Sequence, residues 1–202
     1  GFSPALSKAE IDALVAYVYS PPATKPVWGE ADIRASRVVH RTRDSLPDKP
    51  SFSADPLNLF IVVEAGDHHA SILDGDKLER IARFPTRYAL HGGPKFTPDG
   101  RFVYFASRDG WIAKYDLWSL ATVAEVRAGI NTRNIAVSGD GKWVIAGNYL
   151  PHTLVVLDAR DLSLVKLIPV ADRDGKTSRV SAVYDAAPRK SFIVALKDIA
   201  EV

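Results

Sequence analysis

From Asn58 onward the chain alternates apolar and polar residues in short runs. They are Leu59–Val63, Phe102–Ala106, Trp143–Ala146, Leu154–Leu157 and Phe192–Leu196, all rich in β-branched or aromatic side chains. A period of two residues places successive side chains on opposite faces of a strand, so these runs predict strands. Between them stand Asp-Gly pairs at 74–75, 99–100, 109–110 and 140–141. Asp-Gly tolerates the positive φ angles of tight hairpins, which predicts antiparallel neighbours. The first 19 residues follow a different rule. Ser7-Lys8-Ala9-Glu10 fits a capping box, and Ile11, Leu14, Val15 and Val18 recur at helical spacing on one face. Pro21 and Pro22 end that helix, and Ser20–Pro26 is a proline-rich spacer. A short helix with an apolar stripe needs a partner, either the β-domain itself or the body of another domain.

The strand units repeat. Phe96–Tyr104 matches Val137–Ile145 at a shift of 41 residues, and Asp74, Asp116 and Asp158 are separated by 42 and 42. A period near forty with about four strands per unit is the signature of a β-propeller blade. A β-sandwich, the competing all-β architecture, gives no reason for that spacing. Residues 28–202 hold about four units. Propellers close with typically 4–8 blades, so an all-β propeller of about four blades, part of a larger ring, is the expected fold.

Composition narrows the function classes. The 202 residues are 47% hydrophobic and 25% charged, which is ordinary for a globular chain. The net charge of +2 arises from 26 basic and 24 acidic residues mixed along the sequence, which argues against a nucleic-acid partner. No apolar run approaches the roughly 18–20 residues that span a bilayer, and no signal peptide is visible. Cys is absent, which excludes disulfides, thiolate metal sites and a Cys-x-x-Cys-His haem attachment within this sequence. Met is absent too, even at position 1, so the sequence reads as a fragment.

Candidate chemistry clusters where a propeller presents its channel. The loops entering the innermost strands carry His91 in one repeat, Arg133 in the next and Arg179 in the following one. One imidazole with converging guanidinium groups suits a ligand with a metal at its centre and carboxylates at its rim. Gly92-Gly93 would let a flat ring approach the backbone. Arg108 offers a further cation, and Tyr149 an aromatic wall with a polar tip. Each has a plainer reading: His91 as a structural residue, Arg133 and Arg179 as partners in blade-to-blade salt bridges. His68-His69 points to opposite faces of a strand and does not chelate easily, and His40 and His152 carry no supporting partners. No Ser/His/Asp order, phosphate loop or paired-carboxylate spacing stands out.

Over residues 25–202 the motif string resembles the haem d1-binding propellers. It runs through Tyr88–His91, Asp99–Phe102, Ser107–Gly110, Tyr115–Trp118, Val123–Val126, Thr132–Ser138, Ile145–Pro151, Ser178–Val183 and Phe192–Lys197. The resemblance implies an eight-bladed ring of which residues 23–202 form the N-terminal part. It implies that His91 is the axial iron ligand, that Arg108, Arg133 and Arg179 lie near the carboxylate-rich rim, and that Tyr149 lies close to the ring. Residues 1–22 are similar to the C-terminal helix of a class I cytochrome c domain, whose haem c would be bound upstream.

Within the family, the nitrite reductases place two distal histidines after the segment matching Arg179-Val180, and here Tyr184–Arg189 contains none. Their carboxylate-binding Arg before an Asp-Ala-Gly turn is also replaced, by Val63 before Glu64-Ala65-Gly66. Both departures point to the biosynthetic branch, which oxidises the propionate side chain of dihydro-haem d1 to the acrylate of haem d1 and passes electrons to a c haem. Nitrite reduction, or non-catalytic haem d1 carriage, is the alternative. The base is not identified, although Tyr184 and Asp185 fall in the distal segment by alignment. The resemblance further implies a periplasmic protein that contacts other haem d1 biosynthesis proteins or nitrite reductase.

Overall fold

The Asp residues that mark the repeat each end a strand and close a turn. Asp74, Asp116 and Asp158 pair across their hairpins with Leu59, Phe102 and Trp143, the first residue of the preceding strand in each unit. Their carboxylates accept backbone N–H groups two or three residues on, from Asp76, Trp118 and Arg160 among others. Four residues past each Asp stands a leucine in the left-handed region, Leu78, Leu120 and Leu162. The repeat is thus a repeated turn, in which the short acidic side chain holds a backbone that would otherwise expose unpaired amides.

The computed structural model describes residues 5–24 and 26–200. Residues 1–4, residue 25 and the last two, which the expected domain boundaries include, lie outside the described residues. Helix α1 (Lys8–Tyr19) is followed by α2 (Glu30–Ser36) and the two-residue strand β1 (Val38–Val39). The first blade is β2 (Leu59–Glu64), β3 (His69–Asp74) and β4 (Arg80–Pro85). The second is β5 (Lys95–Phe96), β6 (Phe102–Ala106), β7 (Trp111–Asp116) and β8 (Ala121–Arg127), with β1 added outside β8. The third is β9 (Asn131–Val137), β10 (Trp143–Leu150), β11 (Thr153–Asp158) and β12 (Leu164–Pro169), and the fourth is β13 (Val180–Ala186) with β14 (Ser191–Leu196). All pairings are antiparallel, as the Asp-Gly turns require.

Gly100, Gly110 and Gly141 adopt the positive φ expected of their turns, but Gly75 does not. Gly75 is needed because a Cβ there would collide with Asn58.

Blades bury both faces, so a strand inside the arc supplies two apolar layers. In β6, Val103 and Phe105 join the layer with Ala70, Ile72 and Tyr115. Tyr104 and Ala106 join the layer with Ile135, Val144 and Leu157. A third layer holds Ile145, Val180 and Val183 between the last two blades. Each fully buried Ile or Leu contributes about 1.5–3 kcal/mol relative to leaving it in water.

The α2 segment was not anticipated. It lays the fully buried Ile33 against the outer strands of the second and third blades, held by Trp28 Nε1 donating to Arg127 O at 3.1 Å and by an Arg37–Asp161 ion pair. By contrast α1 forms its capping box and buries nothing, with Val18 71% exposed. No described element of the arc covers its stripe. No described helix is long and apolar enough to cross a membrane.

Candidate functional site

Antiparallel order puts every loop between blades on the same end of the arc as the turn after each second strand. His91, Arg108, Arg133, Tyr149 and Arg179 all lie at that end. His91 sits in the loop between β4 and β5, where Ala89, Gly92 and Gly93 take positive φ and turn the chain. Its amide donates to Ala106 O at 2.8 Å. Gly92 has a reason other than ring access: a Cβ there would press 2.8 Å from Asn134 Oδ1. Gly93 faces open space.

Arg133 is the third residue of β9 rather than part of the loop before it, and it falls at a bulge, where Asn134 pairs with Gly147 and Thr132 with Asn148. Its carbonyl oxygen lies 3.0 Å from His91 Nδ1. Nδ1–H donating to that carbonyl leaves Nε2 as the lone-pair nitrogen. The Arg133 guanidinium in turn reaches His91 Nε2. Burial pushes the His91 pKa down, the bond to the Arg133 carbonyl opposes this, and the charges of Arg133 and Arg108 depress it further. The imidazole is therefore held neutral, the form that coordinates a metal. His91 with Gly92 and Gly93 also lines a cavity of about 220 Å³ shared with Val63, Leu90 and Phe105.

Tyr149, next to last in β10, is ringed by cations. The guanidinium carbons of Arg108 and Arg179 stand 5.9 and 5.4 Å from its ring centroid, and Lys197 Nζ stands 5.4 Å away. Lys197 also donates to Tyr149 Oη at 3.3 Å. Burial would raise the Tyr149 pKa, but the Lys197 hydrogen bond and the charges of Lys197 and Arg133 bring it below its ordinary value. Arg108 Nη1 is buried without a hydrogen-bond partner. Arg179 differs from the others. Its guanidinium is bidentate on Asp198, with Nη2 to Oδ1 at 2.5 Å and Nε to Oδ2 at 3.0 Å, and its amide donates to the same carboxylate. That pairing holds the Asp198 pKa far below the usual carboxylate range. Among the described residues, Arg108, Arg133 and Lys197 have no carboxylate within ion-pair distance.

Sequence reasoning missed Lys197 as a site residue and Asp198 as the partner of Arg179. A usable signal existed: Arg108, Tyr149 and Lys197 all stand at the top of the second strand of successive blades. Tyr184 and Asp185 belong elsewhere. They lie well down β13 from its top, about 13 Å by strand rise for Tyr184. Asp185 Oδ2 is beside Gly139, in the turn at the opposite end of the arc. The structure therefore does not bring them to the His91 site.

The sequence model of the cytochrome D1 heme domain matches residues 54–202. The chain belongs to the cytochrome d1 haem domain family. Members compared with it include the dihydro-heme d1 dehydrogenase of Pseudomonas aeruginosa, 66% identical over all 202 residues and 41% of that protein's length. The solved structure of dihydro-heme d1 dehydrogenase NirN in complex with DHE, also 66% identical, superposes with a TM-score of 0.92 over 98% of this chain and 43% of that one. At 15% identity, the Cps50 (Swd1) β-propeller domain of Myceliophteria thermophila gives a TM-score of 0.55 over 70% of this chain and 47% of its own, which supports the propeller fold alone. This d1 haem domain thus spans about two fifths of the length of the relatives it matches.

Proposed function

We propose that this d1 haem domain is the N-terminal part of the propeller of a dihydro-haem d1 dehydrogenase, with dihydro-haem d1 as its substrate. The residues present fit an iron tetrapyrrole. His91 offers a neutral Nε2 whose tautomer is fixed through Nδ1. Arg108 brings a buried, unpartnered guanidinium nitrogen. Arg133 brings a charge with no carboxylate partner, and guanidinium forks pair bidentately with ring carboxylates. Tyr149 supplies a flat wall beside them. The single observation that carries this reading is the His91–Arg133 unit. The Arg133 carbonyl sets the imidazole tautomer, and the Arg133 guanidinium, lying against both ring nitrogens, is a cation that would swing from Nε2 to a ring carboxylate as Nε2 takes the iron.

The reaction removes two hydrogens from adjacent carbons of one propionate to leave an acrylate, releasing two protons and two electrons. The electrons would pass one at a time to a c haem held outside this chain, two per turnover, and the protons to a base outside the residues assigned here. The residues of this chain bind and orient: His91 fixes the centre of the ring and the cations fix its rim. A cytochrome c domain before residue 22 would house the acceptor, which agrees with the uncovered stripe of α1. The same reading places the protein in the periplasm, in contact with haem d1 biosynthesis proteins or with nitrite reductase. The dehydrogenase reading is preferred to nitrite reduction on the 66% identity to a dihydro-heme d1 dehydrogenase, against 28% to the nitrite reductase of Stutzerimonas stutzeri. Tyr184–Arg189, lying away from the His91 site, does not bear on that choice.

The test is reconstitution of the full-length protein with dihydro-haem d1. Conversion to haem d1 with reduction of the c haem is expected, and tight binding without conversion would indicate a carrier. His91→Ala should abolish the axial imidazole signature in the absorption spectrum. An unchanged spectrum would overturn the ligand assignment.

A further inference from the structure

Two cations, Arg179 and Lys197, meet where the fourth blade borders the third, and the structure treats them oppositely. Arg179 takes both oxygens of Asp198, the one acidic side chain within its reach among the described residues. Lys197 stands next to Asp198 in sequence yet turns away from it and reaches Tyr149 Oη at 3.3 Å. The backbone enforces this. The Lys197 amide donates to Arg179 O at 3.0 Å and to Ser178 Oγ at 3.2 Å, and the Asp198 amide donates to the same hydroxyl at 3.0 Å. Lys197 is consequently anchored at its root and exposed at its tip.

An ammonium has three donors, and a phenol oxygen occupies one of them without neutralising its charge. Tyr149 accepts from Lys197, so the phenol proton is free to donate elsewhere. An ammonium and a hydroxyl 3.3 Å apart form a two-donor clamp of the size of one carboxylate. Resting on the proposed function, we infer that Lys197 and Tyr149 together bind a side-chain carboxylate of the tetrapyrrole at the fourth-blade edge of the site. Arg179, with its charge compensated by Asp198, does not supply that contact. Lys197 with Tyr149 therefore extends, on the fourth-blade side, the cluster in which Arg108 and Arg133 stand beside His91.

The experiment titrates the full-length protein with dihydro-haem d1 and, separately, with the same ring carrying methyl-esterified carboxylates. Lys197→Gln should weaken binding of the free acid by about tenfold or more, the usual scale of a charge-assisted hydrogen bond. Lys197→Arg should restore most of it, and Tyr149→Phe should give a smaller loss. The axial imidazole signature should persist in all three variants, and the ester should bind wild type and Lys197→Gln alike. Equal affinity of wild type and Lys197→Gln for the free acid, with the imidazole signature intact, overturns the Lys197 assignment alone. Absence of any imidazole-ligated ring in the wild type overturns the site and this inference with it.

Discussion

Arg133 touches His91 with two chemically opposite groups, a carbonyl that takes the Nδ1 proton and a guanidinium that lies against both ring nitrogens, nearer Nε2. Such dual use fixes an imidazole more firmly than either contact alone, because ring rotation breaks both. Tyr115 is the contrasting case. It is 2% exposed and stacks on Phe84 at 4.0 Å, and its hydroxyl has no partner among the described residues. A buried hydroxyl without a hydrogen bond carries a desolvation cost that its ring packing must offset. Tyr115→Phe should leave stability within about 1 kcal/mol of wild type or raise it, as read from denaturant midpoints, while a large loss would reveal an unseen partner. At this scale the gathering of His91, Arg133 and Arg179 at one end of the arc was legible because they recur at equivalent positions of successive blades, with Arg108 and Tyr149 beside them. The Arg179–Asp198 pair was not, since it joins residues 19 apart across a β-hairpin register that composition does not encode.

Blades must also hold to one another, and Lys114 of β7 does so between the second and third. It is 4% exposed, lies over the Phe102 ring at 3.9 Å, and donates to the carbonyls of Ala159 at 2.8 Å and Arg160 at 2.9 Å. Tyr104 Oη donates to the same Ala159 oxygen at 2.7 Å. Burial pushes the Lys114 pKa down to about 8, against the pull of Asp116, Asp158 and Asp161. The folded protein then sheds this proton near pH 8, while the unfolded chain keeps it up to its ordinary 10.5. Between those values the unfolded state binds more protons, so this group makes stability rise with pH. Burial raises the Tyr104 and Tyr115 pKa values, which reverses the trend above the ordinary phenol value of 10.0. Denaturant midpoints of wild type relative to Lys114→Met should therefore climb between about pH 8 and pH 9.5. A flat difference would mean that the ammonium is not desolvated. Among elements, the strands were legible because their period of two is imposed by burial on both faces. Helix α2 was not: it has seven residues and a glycine N-cap, and Ile33 is its only buried side chain.

For the whole molecule, what matters is which surfaces the arc leaves in water. Leu59 and Ile61 of β2 pack toward the second blade, whereas Phe60 and Val62 on the opposite face are 51% and 43% exposed. At the other end Tyr184 and Ile193, directly paired across β13 and β14, are 59% and 51% exposed on the face away from the third blade. Within β5–β12 of the two inner blades the exposed apolar residues, such as Phe96 and Val165, lie on separate strands, whereas these two faces each expose adjacent or paired residues. They are therefore the surfaces against which further blades of a ring would pack. A charge introduced there separates the two environments, since an unpaired charge costs little in water and several kcal/mol when buried. Ile193→Asp should leave the Tm of the 202-residue chain nearly unchanged and reduce its self-association in sedimentation. In a protein of the relatives' full length the same substitution should lower Tm by roughly 5 °C or more, given about 2–4 °C per kcal/mol for a domain of this size. An unchanged Tm in the longer protein would mean that the face stays solvated and that no blade continues the ring beyond β14. The single site at one end of the arc would then have to grip its ring from one side only, leaving half the rim to solvent.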